Sequence, residues 1–163
     1  MSLNVFNMKI RNALWLLGSV LMISACDKTA ALSPDERAAK VAEGFAVAYF
    51  NYDFERAAKY CNEGSMKWLK FAASQLTQED IDKLNGKDEA QVSVEDFVRS
   101  EEGDYAIVEV SDFLRLGALN NKNAVVDCER FRIPLSRFLD KDGEEQWQVR
   151  MACLPQSERQ SRD

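Results

Sequence analysis

Cysteines, carboxylates and tyrosines are the side chains of this chain that could take part in chemistry. The 163 residues include four cysteines and no histidine, which excludes acid–base catalysis by histidine and a Ser-His-Asp triad. The remaining candidates for proton transfer lie in the predicted strands or near the end of the first predicted helix: Glu109, Asp112, Asp127, Glu129, Tyr49, Tyr52 and Tyr105. We expect solvated strand faces for the acids and core packing for the tyrosines. No motif ties them to a substrate, so we predict a protein that is not an enzyme and needs no cofactor.

The N-terminus has the layout of an export signal. The basic stretch Met8-Lys9-Ile10-Arg11 precedes a mainly apolar run over 13–23, and small residues at 24 and 25 precede Cys26. An apolar run of about 11 residues is too short for a permanent transmembrane helix, which needs roughly 20. We therefore predict that residues 1–25 are a signal peptide, with 1–7 upstream of the true start if Met8 is the initiator.

The four residues Ile23-Ser24-Ala25-Cys26 resemble the lipobox of bacterial lipoproteins. The resemblance implies that Cys26 carries a diacylglyceryl group and that signal peptidase II cuts in front of it. Acyl chains contribute about 0.8 kcal/mol per buried methylene, so lipidation gives a stable anchor without a spanning segment. The expected location is the cell envelope, at the inner or the outer membrane, with the domain outside the cytoplasm.

The charge balance argues against anionic partners. The chain carries 21 basic and 27 acidic residues, and the predicted signal removes two of the basic ones. The remaining surface is acidic and repels phosphate backbones, so nucleic acid is not an expected partner. The expected partners are the membrane, through the lipid on Cys26, and an envelope protein or a small apolar ligand.

Three further cysteines would then lie in a compartment that permits disulfides. Helical spacing from Phe54 places Cys61 on the inward face of a short helix. A hairpin turn at 140–143 pairs odd positions with odd positions, which places Cys153 on the inner sheet face and Cys128 on the opposite one. We favour a Cys61–Cys153 disulfide, and pairs with Cys128 stay open as alternatives. No metal site is expected, because histidine and short-spaced cysteines are lacking.

The elements that must position these residues divide the chain into a helical and a strand-rich half. Ser33-Pro34-Asp35-Glu36 is a capping box that predicts a helix over 34–50. Asp53, Ser65 and Thr77 are predicted to cap three shorter helices. Alternating segments predict strands at 91–99, 105–116, 124–138 and 146–154, and the polar tail from 155 is expected to fray.

This pattern indicates an α+β domain over 33–155, preceded by a lipidated tether at 26–32 and followed by a flexible tail at 156–163. The helix at 34–50, the break and restart at 51–58 and the four C-terminal strands resemble the nuclear transport factor two-like fold. That resemblance implies N-terminal helices packed on a curved antiparallel sheet of about four strands, which together form a cone.

The lipid anchor, the short tether and the lack of a reactive constellation predict a non-catalytic binding or assembly module of the envelope. The alternative is a lipid-anchored enzyme or small-ligand binder that uses carboxylate and tyrosine groups inside the cone. A third hypothesis is a redox role for an unpaired cysteine.

Two local features lead to further expectations. Gly44 costs its helix about 1 kcal/mol relative to alanine, so we expect it to allow close helix–sheet approach or to leave room for a ligand. Trp68 and Phe71 lie off the main apolar stripe of their helix and predict either an exposed contact patch or a second packing face.

Overall fold

The computed structural model describes residues 32–115 and 125–158. The predicted signal peptide, Cys26 and nearly all of the predicted tether lie outside the described residues. Leu32–Asp163 form a compact unit whose described part contains its own hydrophobic core. Within the described ranges, no helix combines the length and the apolar character needed to cross a bilayer.

Helix α1 spans Pro34–Phe50, as the capping box predicts. The Glu36 N–H donates to Ser33 Oγ at 3.2 Å, and the Ser33 N–H donates to Glu36 Oε2 at 2.7 Å. The buried face of α1 is rich in small residues and consists of Ala38, Ala42, Phe45, Ala46, Ala48 and Phe50. Small side chains let the helix lie close to the sheet beneath it.

Three shorter helices follow: α2 (Phe54–Ala58), α3 (Met66–Ser74) and α4 (Gln78–Asn85). The side chains of Asp53 and Thr77 cap α2 and α4 as predicted. Ser65 does not cap α3. Its buried hydroxyl instead donates to Asn62 Oδ1 at 2.7 Å and accepts from the Met151 N–H at 2.8 Å, which fixes the start of α3 to the end of the sheet.

Four antiparallel strands form one sheet in the order β1 (Gln91–Val98), β2 (Asp104–Leu114), β3 (Val125–Leu139) and β4 (Glu145–Val149). The sheet is curved and unclosed, and α1 contacts all four strands. The predicted α+β class is therefore confirmed, and the arrangement is consistent with the nuclear transport factor two-like one.

The β3–β4 hairpin has the predicted register. The Asp140 N–H donates to the Glu144 carbonyl at 3.0 Å, Gly143 has a φ of 79°, and Leu135 pairs with Val149. The inner face is buried as expected and comprises Phe131, Ile133, Leu135, Trp147, Val149 and Met151. Cys128 lies on the exposed outer face, as predicted.

The end of β4 differs from the prediction. The strand stops at Val149 rather than near Leu154, and Ser157 then forms an isolated bridge to Phe131 of β3. Cys153 therefore leaves the inner face and is exposed, so its predicted inward orientation is wrong. Ser157, within the segment expected to be flexible, is 1% exposed and lies against β3.

Gly44 makes room for a tyrosine and not for the sheet. A Cβ at this position would stand 2.4–2.6 Å from the end of the Tyr60 side chain, so Tyr60 fills the space that a ligand was considered to occupy. Of the two off-stripe aromatics of α3, Trp68 packs against the core and Phe71 is 49% exposed. Trp68 therefore belongs to a packing face, whereas Phe71 is accessible to solvent.

Candidate functional site

Aromatic side chains fill much of the space between α1 and the sheet. Phe50, in the last turn of α1, lies 4.5 Å from Phe131 and 5.2 Å from Phe113 between ring centroids. These distances are those of favourable aromatic pairs. The open space in the described part of the molecule therefore lies at the rim of this packed core.

A cleft of about 290 Å³ opens at the C-terminal end of α1, and we call it the open-end cleft. The helix end contributes Tyr49, Phe50 and Tyr52, and Phe131 of β3 adds a further aromatic wall. The end of β2 contributes residues 113–115, and the C-terminal segment contributes residues 154–156. Three segments that are distant in sequence thus meet around one mainly apolar space.

Two non-glycine residues beside the cleft have a left-handed backbone: Tyr52 (φ 62°) and Asp112 (φ 54°). At Tyr52 this conformation ends α1, because the Asp53 N–H donates to the Ala48 carbonyl at 2.9 Å and the Tyr52 N–H donates to the Tyr49 carbonyl at 3.0 Å, as in a common helix C-terminal motif. At Asp112, within β2, it costs about 1–3 kcal/mol. The Tyr52 hydroxyl donates to the Leu114 carbonyl, which holds the helix end against β2. After Asp112, which lies within β2, the consecutive residues Phe113 and Leu114 are both 4% exposed, so the regular alternation of the strand is interrupted there.

A buried ion pair adjoins the cleft. Glu129 of β3 is 7% exposed, and its carboxylate pairs with the guanidinium of Arg115. A buried carboxylate is tolerated when a cation and hydrogen bonds replace its water. The pair therefore holds Arg115, a lining residue, in place and presents its partly exposed guanidinium to the cleft.

Tyr49 is the most enclosed of the candidate tyrosines at this site. Its ring stacks on Phe45 at 5.4 Å and meets Phe54 edge-on at 5.7 Å. Burial, with a smaller contribution from the neighbouring Cys153, raises the pKa of Tyr49 above its ordinary range. The phenol is therefore neutral at physiological pH and can donate or accept a hydrogen bond.

The structure brings together three of the seven sequence candidates: Tyr49, Tyr52 and Glu129. The other four do not line the open-end cleft. Asp112 directly precedes Phe113 but borders a neighbouring cleft, Asp127 is exposed, Glu109 hydrogen-bonds Cys128, and Tyr105 lies under Arg132 beside a further cleft.

The sequence analysis missed Arg115. The one signal that could have identified it is a lone cation after two buried apolar residues, Phe113 and Leu114. Such a position is costly for a cation unless a carboxylate faces it.

The three described cysteines occupy different environments and are free thiols in the structure. Burial raises the pKa of Cys61 to about 12. Desolvation and a hydrogen bond with Glu109 also raise the pKa of Cys128, whereas a reactive thiolate needs a lowered pKa. The Cys61–Cys153 disulfide stays a prediction. Within the described ranges, no three potential ligands are grouped so that they could hold a metal ion.

No protein-family model, no curated protein and no solved structure matches this chain. Lipid attachment and family membership therefore remain predictions from the sequence. The geometry of the cleft is the evidence that bears on what the domain can do.

Proposed function

We propose that this protein is a lipid-anchored, non-catalytic binding module of the bacterial cell envelope, which receives a small apolar ligand in the open-end cleft. The observation that carries the proposal is the cleft itself, which has aromatic walls from α1, β2 and β3. The left-handed backbone of Asp112, directly before the lining residue Phe113, is a local cost that the surrounding structure maintains at this end of the sheet.

The lining supports an apolar ligand with one polar group. Ligand sites are mostly apolar with a few placed polar groups, and span roughly 300–1,000 Å³. The open-end cleft, at about 290 Å³, corresponds to the small end of that range. Arg115 and the neutral phenol of Tyr49 supply polar contacts at its edge, while Phe50 and Phe131 supply apolar surface.

The ion pair that Glu129 forms with Arg115 supports a binding role for the cleft better than a catalytic one. A general acid or base needs a pKa near the working pH and access to the substrate. Glu129 is instead engaged by Arg115, and it does not itself line the cleft. The pair therefore fits a role in positioning Arg115 better than a role in proton transfer.

The anchor is tested separately from the cleft. We expect cells expressing the full chain to incorporate labelled palmitate, and the variant Cys26→Ser to lose the label and leave the membrane fraction. The matched control Cys128→Ser changes an exposed thiol of the domain and should retain the label. Equal labelling of both variants would contradict lipid attachment at Cys26.

The cleft is tested with the apolar fluorescent probe N-phenyl-1-naphthylamine and residues 32–163, which form their own compact unit. The substitution Leu154→Phe enlarges a side chain that lines the cleft. It should weaken probe binding about tenfold, the usual effect of one extra group in an apolar pocket.

The control for this experiment is Leu139→Phe, which makes the same change at an exposed leucine that does not line the cleft. Probe affinity should be unchanged in this variant. Absence of saturable binding to the unsubstituted domain, or equal losses in the two variants, would overturn the proposed ligand site.

A further inference from the structure

A second cleft, of about 240 Å³, lies beside the open-end cleft, and we call it the edge cleft. Its inner wall is formed by Phe45, Ile133 and Val149, and the exposed Cys153 lies on its rim. Residues 154–156 line both clefts. The C-terminal segment therefore forms a wall that the two spaces share.

That shared segment is hydrogen-bonded to the rest of the domain at its two ends but not between them. The Arg150 N–H donates to the Pro134 carbonyl at 2.9 Å, and the Met151 N–H donates to Ser65 Oγ at 2.8 Å. At the other end, the Glu158 N–H donates to the Arg130 carbonyl at 3.0 Å. Between these anchors, residues 152–156, which we call the strap, form no hydrogen bond with the rest of the described chain. Such segments lie at the low-stability end of a fold and open first.

The two clefts are neighbours along α1. Phe45 lines the edge cleft and Tyr49 the open-end cleft, and the two rings stack one helical turn apart. Leu154 of the strap lines both spaces and packs against the core. The partition between the clefts therefore includes one leucine side chain on a segment whose backbone is held only at its ends.

We propose that the strap spans one elongated site and that the ligand is an unbranched acyl chain, which passes beneath the strap from one cleft into the other. This inference rests on the proposed function and specifies its ligand. Each cleft alone, at about 290 and 240 Å³, is at or below the small end of the roughly 300–1,000 Å³ of ligand sites, and only the joined space lies within that range.

The shape and charge of the joined site favour a flexible chain with an anionic head. A strap that is hydrogen-bonded only at its two ends admits a thin chain more readily than a fused ring system, because residues 154–156, which line both clefts, have to move less for the thinner ligand. Each cleft has an arginine among its lining residues, Arg115 in one and Arg132 in the other. A guanidinium binds carboxylate or phosphate oxygens with paired hydrogen bonds. Because Arg132 already pairs with Glu158, another lining residue, at 3.5 Å, the partner that we assign to the head is Arg115, whose guanidinium is partly exposed beside Glu129.

The cysteines of the domain can report on ligand binding through their reactivity towards an alkylating reagent. Cys153 lies on the edge cleft, Cys128 is exposed on the outer sheet face, and Cys61 is buried. With residues 32–163 kept reduced, we would measure the alkylation of Cys153 and Cys128 by N-ethylmaleimide, peptide by peptide, with and without laurate. At about ten times its dissociation constant, laurate should slow the alkylation of Cys153 about tenfold, because only the free protein exposes the thiol. Cys128 is the internal control and should react at an unchanged rate.

A bulky carboxylate separates failure of this inference from failure of the proposed function. Adamantane-1-carboxylate should displace N-phenyl-1-naphthylamine from the open-end cleft without protecting Cys153. The variant Ala152→Phe enlarges an exposed residue of the edge cleft and should weaken laurate binding while leaving adamantane-1-carboxylate binding intact. Displacement of the dye by laurate without protection of Cys153, or equal binding of laurate to Ala152→Phe, would overturn the elongated site and leave the proposed function standing. If neither carboxylate nor the dye binds, both proposals fail.

Discussion

The two ends of the α1–sheet layer differ in their packing: one is closed by ion pairs and a buried tryptophan, and the other contains clefts. At the N-terminal end of α1, ion pairs join the helix to the β3–β4 hairpin and to the residue after β1: Arg37–Glu144 at 3.0 Å and Arg99–Asp35 at 2.7 Å. Trp147 lies beneath them, 4% exposed, with Phe97 edge-on at 5.0 Å. At the C-terminal end, the open-end cleft lies between α1, β2, β3 and the strap, and the edge cleft lies beside it, with walls from α1, β3, β4 and the strap.

The two ends differ in how the fold gives up stability. The closed end has a capped helix and paired charges, and its cost is polar: Arg37 Nε and Trp147 Nε1 are buried without a hydrogen-bond partner among the described residues. The open end carries two left-handed non-glycine residues, a buried carboxylate and an unbonded strap. Proteins commonly give up stability where a site must form, which supports our proposal that the ligand site lies at the open end.

The largest expected effect comes from removing the indole of the closed end. Trp147→Ala should lower the free energy of unfolding by about 3–5 kcal/mol, because it deletes a fully packed aromatic side chain. Leu154→Ala, at the half-buried strap, should cost about 1 kcal/mol by the area it exposes. Urea unfolding of residues 32–163 measures both. Equal costs would show that the strap is as much a part of the core as Trp147.

The next largest expected effect is a difference in stability cost between breaking the ion pair of the open end and breaking one of the closed end. Arg115→Met should cost about 2 kcal/mol, since it leaves the buried carboxylate of Glu129 without its cation. Arg37→Met breaks a pair whose Glu144 partner is exposed, and should cost less than about 1 kcal/mol. Adding Glu129→Gln to Arg115→Met should recover most of the loss. A double variant as unstable as the single one would contradict a role for the unpaired charge.

A smaller effect tests the strain at Asp112. Because its φ is 54°, glycine should be tolerated better there than alanine, by about 1 kcal/mol. At the neighbouring strand residue Ser111 the order should reverse, since glycine loses more conformational entropy on folding. Thermal unfolding of the four variants gives the comparison, and the same order at both positions would show that Asp112 is not strained.

The smallest effect is the acid sensitivity of the closed end. A hydrogen bond from Arg137, supported by Arg99, holds the pKa of Glu145 below its usual 4.5 against the opposing effect of desolvation. The folded state then binds fewer protons than the unfolded state, so this contribution is present above pH 4.5 and is lost as the pH falls through the lowered pKa. Glu145→Gln should reduce the loss of stability in that window. The measurement is the free energy of unfolding in urea between pH 5 and about 3. If Glu145→Gln left its pH dependence unchanged, the assignment of this acid sensitivity to Glu145 would be contradicted.

Local signals in the sequence predicted most of the closed end. The capping box at Ser33 predicted α1 with its observed bounds, and the turn at 140–143 predicted the β3–β4 register. Both depend on residues within a few positions of one another, where backbone preference and hydrogen bonding decide the structure.

The open end could not be predicted in the same way. Its cleft depends on the early end of β4 at Val149 and on the left-handed backbone of Asp112, neither of which has a local signal. It also depends on the pairing of Arg115 with Glu129, which are 14 residues apart, so the position of Arg115 after two apolar residues did not reveal its partner. The prediction therefore extended β4 past its true end and placed Cys153 on the wrong side. Tyr49 and Tyr52 were among the sequence candidates, and their position near the end of the first predicted helix followed from local signals.

The length of α1 sets the distance between the start of the domain and its open end. Seventeen residues at about 1.5 Å each separate Ser33, where the domain meets its predicted tether, from the open end by about 25 Å. The open-end cleft therefore lies one helix length away from the residue at which the predicted tether ends. For the binding module that we propose, this separation is what we would expect of a carrier or a sensor that takes its ligand from the aqueous phase.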